Sequence, residues 1–323
     1  MPDHLAAIAA NPTDDAPRLV YADALLERQD PLGEFITLQC HAARLPVTDP
    51  QRSELEHRAK QLLDTHKQRW SPAGLEWTFE RGFPASLRVL LRDLRQHEAV
   101  IAAVPTLDDL EVRFTSAAPL DLDGLLALPL LRRVHALRFN WHTPQQLALD
   151  LLAEPWVAKL DLLQFSWVML QPRVWQVLGR AESPARHIPA LDLMLADARD
   201  DSVRLLDVAP WPALKWLRLS NGQLGTRGCE LLAQPGLFHA LEHLDVSWNR
   251  IGKQGAALLA KSPLIHQLTT LNLSHCQLGD EGCESIAAAQ PRALETLLLE
   301  QSRVTERGLQ ALRRALPRAR ITT

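Results

Sequence analysis

One frame recurs through the last third of this chain. It reads LKWLRLSNGQLGTRG from Leu214, LEHLDVSWNRIGKQG from Leu241, LTTLNLSHCQLGDEG from Leu268 and LETLLLEQSRVTERG from Leu294. The starts lie 27, 27 and 26 residues apart, and each frame leads through a glycine into a helical stretch such as CELLAQ or AALLAK. A period of that length confines the chain to stacked units, because one unit cannot bury its own apolar side. The alternating leucines of L-x-L point to one face of a short strand. Apolar residues at helical spacing (Leu231 and Leu232, Leu258 and Leu259, Leu309 and Leu312) close the core from the other side. Asn249, Cys276 and Ser302 fill a slot whose buried donor reaches the carbonyls of the neighbouring turn. Gly228, Gly255, Gly282 and Gly308 stand where the turn enters its helix and space is short.

The second leucine of the frame runs backwards from Leu217 to Leu191, Leu163, Leu137 and Leu110. From Leu110 to Leu297 the steps are 27, 26, 28, 26, 27, 27 and 26, which makes eight repeats. FPASLRV around Leu87 fits a shorter leading strand. The pattern resembles the ribonuclease-inhibitor type of leucine-rich repeat, strongly over 214–315 and in degenerate form from about 105 to 213. The resemblance implies an α/β fold: a right-handed solenoid over 81–323, with a parallel concave sheet and convex helices. It also implies a scaffold that serves many different partners.

Residues 1–80 lack the frame and read as an all-helical domain, with helices near Asp3–Ala10, Ala16–Arg28, Leu32–Leu45 and Gln51–Arg69. Asp30-Pro31 and Asp49-Pro50 have the form of an N-cap acid followed by proline at the first helical position. Leu19, Val20, Leu25, Phe35, Ile36, Leu38, Leu55 and Leu62 are the candidate core. DDAPRLVYADALLERQDPLGEFITLQ, with RGF at Arg81–Phe83, resembles a bacterial "repeat-companion" domain that precedes leucine-rich repeats, a family with no activity to carry over. Its expected role is to cover the leading edge of the sheet. Asp14, Asp15, Asp23, Glu27 and Glu34 read as caps and ion-pair partners of Arg18 or Arg28 rather than as a metal site.

A formal net charge of −3 argues against a nucleic-acid footprint or an anionic-membrane surface. No apolar run reaches the ~20 residues of a membrane helix. Neither a signal peptide nor a paired-cysteine motif is visible, so the expected setting is cytoplasmic, with export as an effector an open alternative. No phosphate-binding loop, nucleophile elbow or zinc-protease motif occurs, and the 12 histidines are scattered, so neither catalytic residues nor a metal or other cofactor is expected.

The expected activity is therefore non-catalytic binding of a partner protein through the concave face. Down the centre of that face run Glu111, Arg138, Gln164, Asp192, Arg218, Asp245, Asn272 and Leu298, where charges either satisfy one another or meet a partner. Glu111 is placed within reach of Arg138, and Arg218 between Asp192 and Asp245. A second row holds Trp141, Trp167, Leu195, Asn221, Trp248, His275 and Gln301, with Trp216 nearby. Three tryptophans at one repeat position fit either an interface anchor set or rings that cover strand ends. The alternative function is modulation of a partner enzyme, as an inhibitor or a GTPase activator, with Arg113, Arg138 or Arg218 as candidate polar groups.

Overall fold

The computed structural model of the chain describes residues 2–11, 14–115, 122, 124–140 and 142–323. They form two compact units, residues 1–113 with 128–134 and residues 114–127 with 135–323.

The first unit begins with four helices: α1 (Pro2–Ala10), α2 (Ala16–Leu26), α3 (Pro31–Arg44) and α4 (Pro50–Trp70). The two Asp-Pro pairs act as the sequence predicts. Asp30 accepts a hydrogen bond from the Leu32 amide (3.0 Å) and Asp49 from the Gln51 amide (2.9 Å), each with proline opening the helix. Ile8, Ala22, Leu25, Ile36, Cys40 and Phe83 make one core. Val20 does not join it and is 54% exposed. The buried face of α2 holds Arg18, Ala22 and Leu25, and Val20 lies off that helical stripe. Arg18 is buried because its guanidinium donates to the Asp14 carbonyl (2.8 Å) and lies over the Phe83 ring. The Asp14 side chain accepts from the Ala16 amide ahead of α2, and Asp15 pairs with Arg44 (2.8 Å) and Arg81 (2.9 Å). Among the described residues no three His, Cys, Asp or Glu side chains converge as a metal site.

The helices lead into β1 (Glu76–Glu80), which pairs antiparallel with β2 (Phe83–Leu90). Arg81 and Gly82 turn the hairpin with both φ values positive. A Cβ on Gly82 would collide with Ile36, so the turn sits hard against α3, where the Gln39 side chain accepts from the Gly82 amide (2.7 Å). After β2 come α5 (Leu91–Gln96), α6 (Glu98–Ala102) and β3 (Asp109–Arg113), which is parallel to β2 with Leu110 opposite Leu87. The edge of β2 away from β3 is thus paired by β1, a strand outside the leucine frame.

The second unit is the α/β repeat stack. Its elements are β4 (Ala136–Asn140), α7 (Gln145–Leu151), β5 (Leu162–Ser166), α8 (Pro172–Gly179), β6 (Ala190–Asp192), α9 (Asp200–Arg204), β7 (Trp216–Arg218) and α10 (Thr226–Leu232). They continue as β8 (His243–Asp245), α11 (Gly252–Lys261), β9 (Thr270–Asn272), α12 (Gly279–Ala289), β10 (Thr296–Leu298), α13 (Glu306–Ala315) and β11 (Arg320–Thr322). The strands lie side by side in chain order, all parallel, with Leu137, Leu163, Leu191, Leu217, Leu244, Leu271 and Leu297 in one buried row. Ile321 extends that row opposite Leu297, one strand beyond the leucine spacing.

Asn249 shows how neighbouring repeats lock. Its carbonyl oxygen accepts from the Gly222 (3.0 Å) and Leu224 (2.8 Å) amides, and its amide donates to the Leu219 (2.8 Å) and Val246 (2.9 Å) carbonyls. In the next two repeats the Cys276 thiol reaches the Val246 carbonyl (3.1 Å) and the Ser302 hydroxyl the Leu273 carbonyl (2.6 Å). Burial pushes the Cys276 thiol up to about 12, so it stays protonated and packs as a donor. A Cβ on Gly255 would stand 2.8 Å from Ile251 and 2.9 Å from the Cys229 sulfur, and one on Gly282 2.9 Å from Leu278, so the first turn of each helix has no room for a side chain unless its neighbours shift.

Candidate functional site

Each repeat strand runs into a turn whose backbone must reverse within a few residues. At one position of that turn Trp167, Leu195, Asn221, Trp248, His275 and Gln301 all take positive φ, between 54° and 62°. The amides hold them there. Those of Trp167, Leu195, Asn221, Trp248 and His275 each donate to a carbonyl of the following repeat, at 2.7–3.0 Å. Left-handed backbone suits Gly or Asn and costs about 1–2 kcal/mol for other L-residues. Asn221 is the residue this turn favours; the two tryptophans are not.

Both tryptophans remain in solvent, Trp167 48% exposed and Trp248 57%. The Trp248 ring stacks on His275, with centroids 3.6 Å apart and planes at 14°. Trp141, the third member of the sequence-predicted row, lies outside the described residues. Met169, two positions past Trp167, is 69% exposed and adds to the apolar surface. It stands at the variable position of the frame that Gln223, Arg250, Gln277 and Arg303 fill in the later repeats, so the frame itself gives it no apolar role.

Beside this row the central positions of the sheet line up as the spacing predicts: Arg138, Gln164, Asp192, Arg218, Asp245, Asn272 and Leu298 are cross-strand neighbours. Arg218 stands between Asp192 (3.7 Å) and Asp245 (3.4 Å). Arg138 donates to the Gln164 side chain at 2.5 Å. In the first unit Glu111 pairs with Arg88 (2.8 Å) and Arg113 (3.6 Å). Asp192 is buried, and burial raises its carboxyl above the usual range against the opposing pull of the Met194 amide, Arg218 and Arg138; Asp245 raises it further. The carboxylates also hold the turn, since Asp192 accepts from the Met194 amide and Asp245 from the Ser247 amide. Trp216 opens β7, half-buried and in register with Ala190 and His243, on the side of the charged row away from the positive-φ turns.

The arrangement thus offers half-exposed aromatic rings on one border of a parallel sheet and a self-paired charge row along its middle. A family model described as "Leucine Rich repeat" matches residues 239–260 and 266–287, the stretch that holds Trp248 and His275. This chain carries leucine-rich repeats. Among solved structures, an internalin from Listeria monocytogenes is similar at 18% identity and a TM-score of 0.39, over 74% of this chain and 58% of that one. The Rad7 and Elc1 complex in yeast is similar at 14% identity and a TM-score of 0.33, over 68% of this chain and 72% of that one. A leucine-rich-repeat protein of Leptospira interrogans is similar at 12% identity and a TM-score of 0.21, over 68% and 90%. No curated protein matches the chain. Among the described residues no helix is long and apolar enough to cross a membrane.

Proposed function

We propose that this chain is a non-catalytic scaffold that binds a partner protein on the open face of its leucine-rich repeats. The anchors are Trp167 and Trp248, with Arg138, Asp192, Trp216, Arg218, Asp245 and His275 beside them; Trp141 is proposed to join them from its place in the frame. One observation carries the reading: two large rings occupy a left-handed turn position that the other repeats fill with Leu195, Asn221, His275 and Gln301, and both are left about half exposed. An unfavourable backbone conformation kept for an exposed ring points to use of that ring. Tryptophan is also the side chain most enriched at binding hot spots.

The finer assignments rest on the same footing. The repeat lengths, and the helices α10 to α13, support the ribonuclease-inhibitor type. The Arg81–Gly82 turn packed on α3 supports a companion domain that ends at its hairpin, with the repeats following. Four free, buried thiols suit a reducing, cytoplasmic setting. Arg218 is already engaged by two carboxylates and Arg113 by Glu111, which favours a scaffold over a modulator that inserts an arginine into a nucleotide site.

The test is capture of the partner from native lysate by the full chain carrying Trp167→Asn, Trp248→Asn or both. The scaffold reading expects the better anchor to lose about tenfold or more in affinity, on the scale of about 2 kcal/mol for a hot spot. Undiminished capture by the double variant would end it.

A further inference from the structure

The surroundings of Trp248 suggest what kind of partner segment it takes, an inference that rests on the scaffold reading above. The three adjacent stretches LEHLDVSW, LTTLNLSH and LETLLLEQ, which carry β8, β9 and β10, contain Glu242, Asp245, Glu295 and Glu300 and no lysine or arginine. Glu295 and Glu300 are exposed, Glu295 just before β10 and Glu300 in the turn just after it. Cations flank these strands. Arg218 on β7 is shared between Asp192 and Asp245, Lys215 faces Glu242 at 3.5 Å, and Arg320 begins β11. Arg250 and Arg303, both exposed, lie in the turns two residues past Trp248 and Gln301. The Trp248–His275 stack therefore sits at the border of a strand surface three repeats wide that is short of positive charge. The ring offers a π face, which attracts a cation, and the carboxylates add a field of the same preference.

We propose that the segment bound at β8–β10 is basic, with an arginine side chain laid on the exposed part of the Trp248 ring and neighbouring cations set against Asp245 and Glu300. Arginine fits better than lysine because its planar, weakly hydrated guanidinium stacks while still donating hydrogen bonds to carboxylates.

Two substitutions test this without disturbing the fold, because the repeats already contain both replacements. Asn221 occupies the turn position of Trp248 at φ 58°. Asn272 occupies the strand position of Asp245 and accepts from the Ser274 amide (3.0 Å) as Asp245 accepts from Ser247 (2.9 Å). The probe is a fluorescein-labelled (Gly-Arg)5 peptide titrated into the full chain by anisotropy, with (Gly-Lys)5 and (Gly-Glu)5 alongside. The expected order is Arg, then Lys, then Glu. Trp248→Asn should weaken the Arg peptide about 3- to 30-fold. Asp245→Asn should weaken it less and flatten its dependence on salt. Equal binding of the Arg and Glu peptides, or unchanged Arg-peptide affinity in Trp248→Asn, overturns the inference. The scaffold reading is judged separately by partner capture with Trp167→Asn, since Trp167 lies three strands from the acidic surface.

Discussion

Two stretches of the repeat stack solve one problem in different ways. Short strands and tight turns leave backbone carbonyls inside the protein, and each needs a donor. Between Leu214 and Ala315 a single repeat position supplies it, as Asn249, then Cys276, then Ser302, each reaching into the neighbouring turn. Between Gln171 and Pro212 that position falls silent, and one buried side chain does the collecting. The Arg186 guanidinium donates to the carbonyls of Gly179 (2.5 Å), Arg180 (2.7 Å), Ala209 and Pro210, and lies 4.9 Å from the centre of the buried Trp211 ring. Burial lowers its pKa, with Glu182 opposing. Five donors in a fixed fork let one arginine replace a ladder of smaller groups. The comparison teaches that a repeat losing its consensus need not lose its satisfaction. It can concentrate it in one place, at the cost of making that place irreplaceable.

The largest expected effect follows directly. Arg186→Ala leaves four carbonyls and an indole face without their partner and should destabilise the chain by about 3–5 kcal/mol, as removal of a buried charged donor does. Arg186→Lys should recover little, because an ammonium cannot span the carbonyls of two neighbouring repeats. Thermal melting of both variants checks this; a lysine variant that melts like the parent would break the contrast between the two regions.

In the regular region the loss is smaller because it is shared. Asn249→Ala should cost about 1–3 kcal/mol, from two amides and two carbonyls left unpaired. Ser302→Ala should cost less, about 1 kcal/mol, from the Leu273 carbonyl and the Cys276 amide losing one small hydroxyl. Urea titration of both variants orders them; equal values would mean that the slot is not the fastening described here.

A smaller effect, with a definite sign, belongs to Asp192. Its folded carboxyl is held above its unfolded value, so the folded state gains from the proton. That gain is complete below the unfolded carboxylate pKa of about 4 and is lost as pH rises through the folded value. Asp192→Asn should therefore match the parent near pH 3.5 and melt higher than it near pH 7. The reverse ordering would show that the Arg218 ion pair outweighs burial.

Much of this was readable from the residues. Leucine periodicity located seven of the buried strand leucines in the second unit, and the Asp-Pro pairs located two helix starts, because burial and capping act on side chains the sequence displays. Other features depend on partners distant in sequence. β1 pairs through its backbone with β2; the alternation of EWTFE, with Trp77 and Phe79 buried, marks a strand but not its partner. Val20 looked like core because it is apolar, yet the stripe of α2 assigns the inside to Arg18. Arg186 is one charged residue among many until Gly179 and Pro210 converge on it. The charge row was legible by register alone, whereas the left-handed turn beneath Trp167 and Trp248 runs against residue preference and is imposed by amides bonded to the next repeat.

That imposed turn is where the account is most exposed to test. Trp248→Asn and Trp167→Asn, measured together for melting and for partner capture, separate a binding ring from a structural one. The account predicts melting unchanged or slightly raised, because asparagine tolerates the left-handed turn, together with a loss of capture of about tenfold or more at the better anchor. A marked fall in melting with capture retained by whatever stays folded would contradict it.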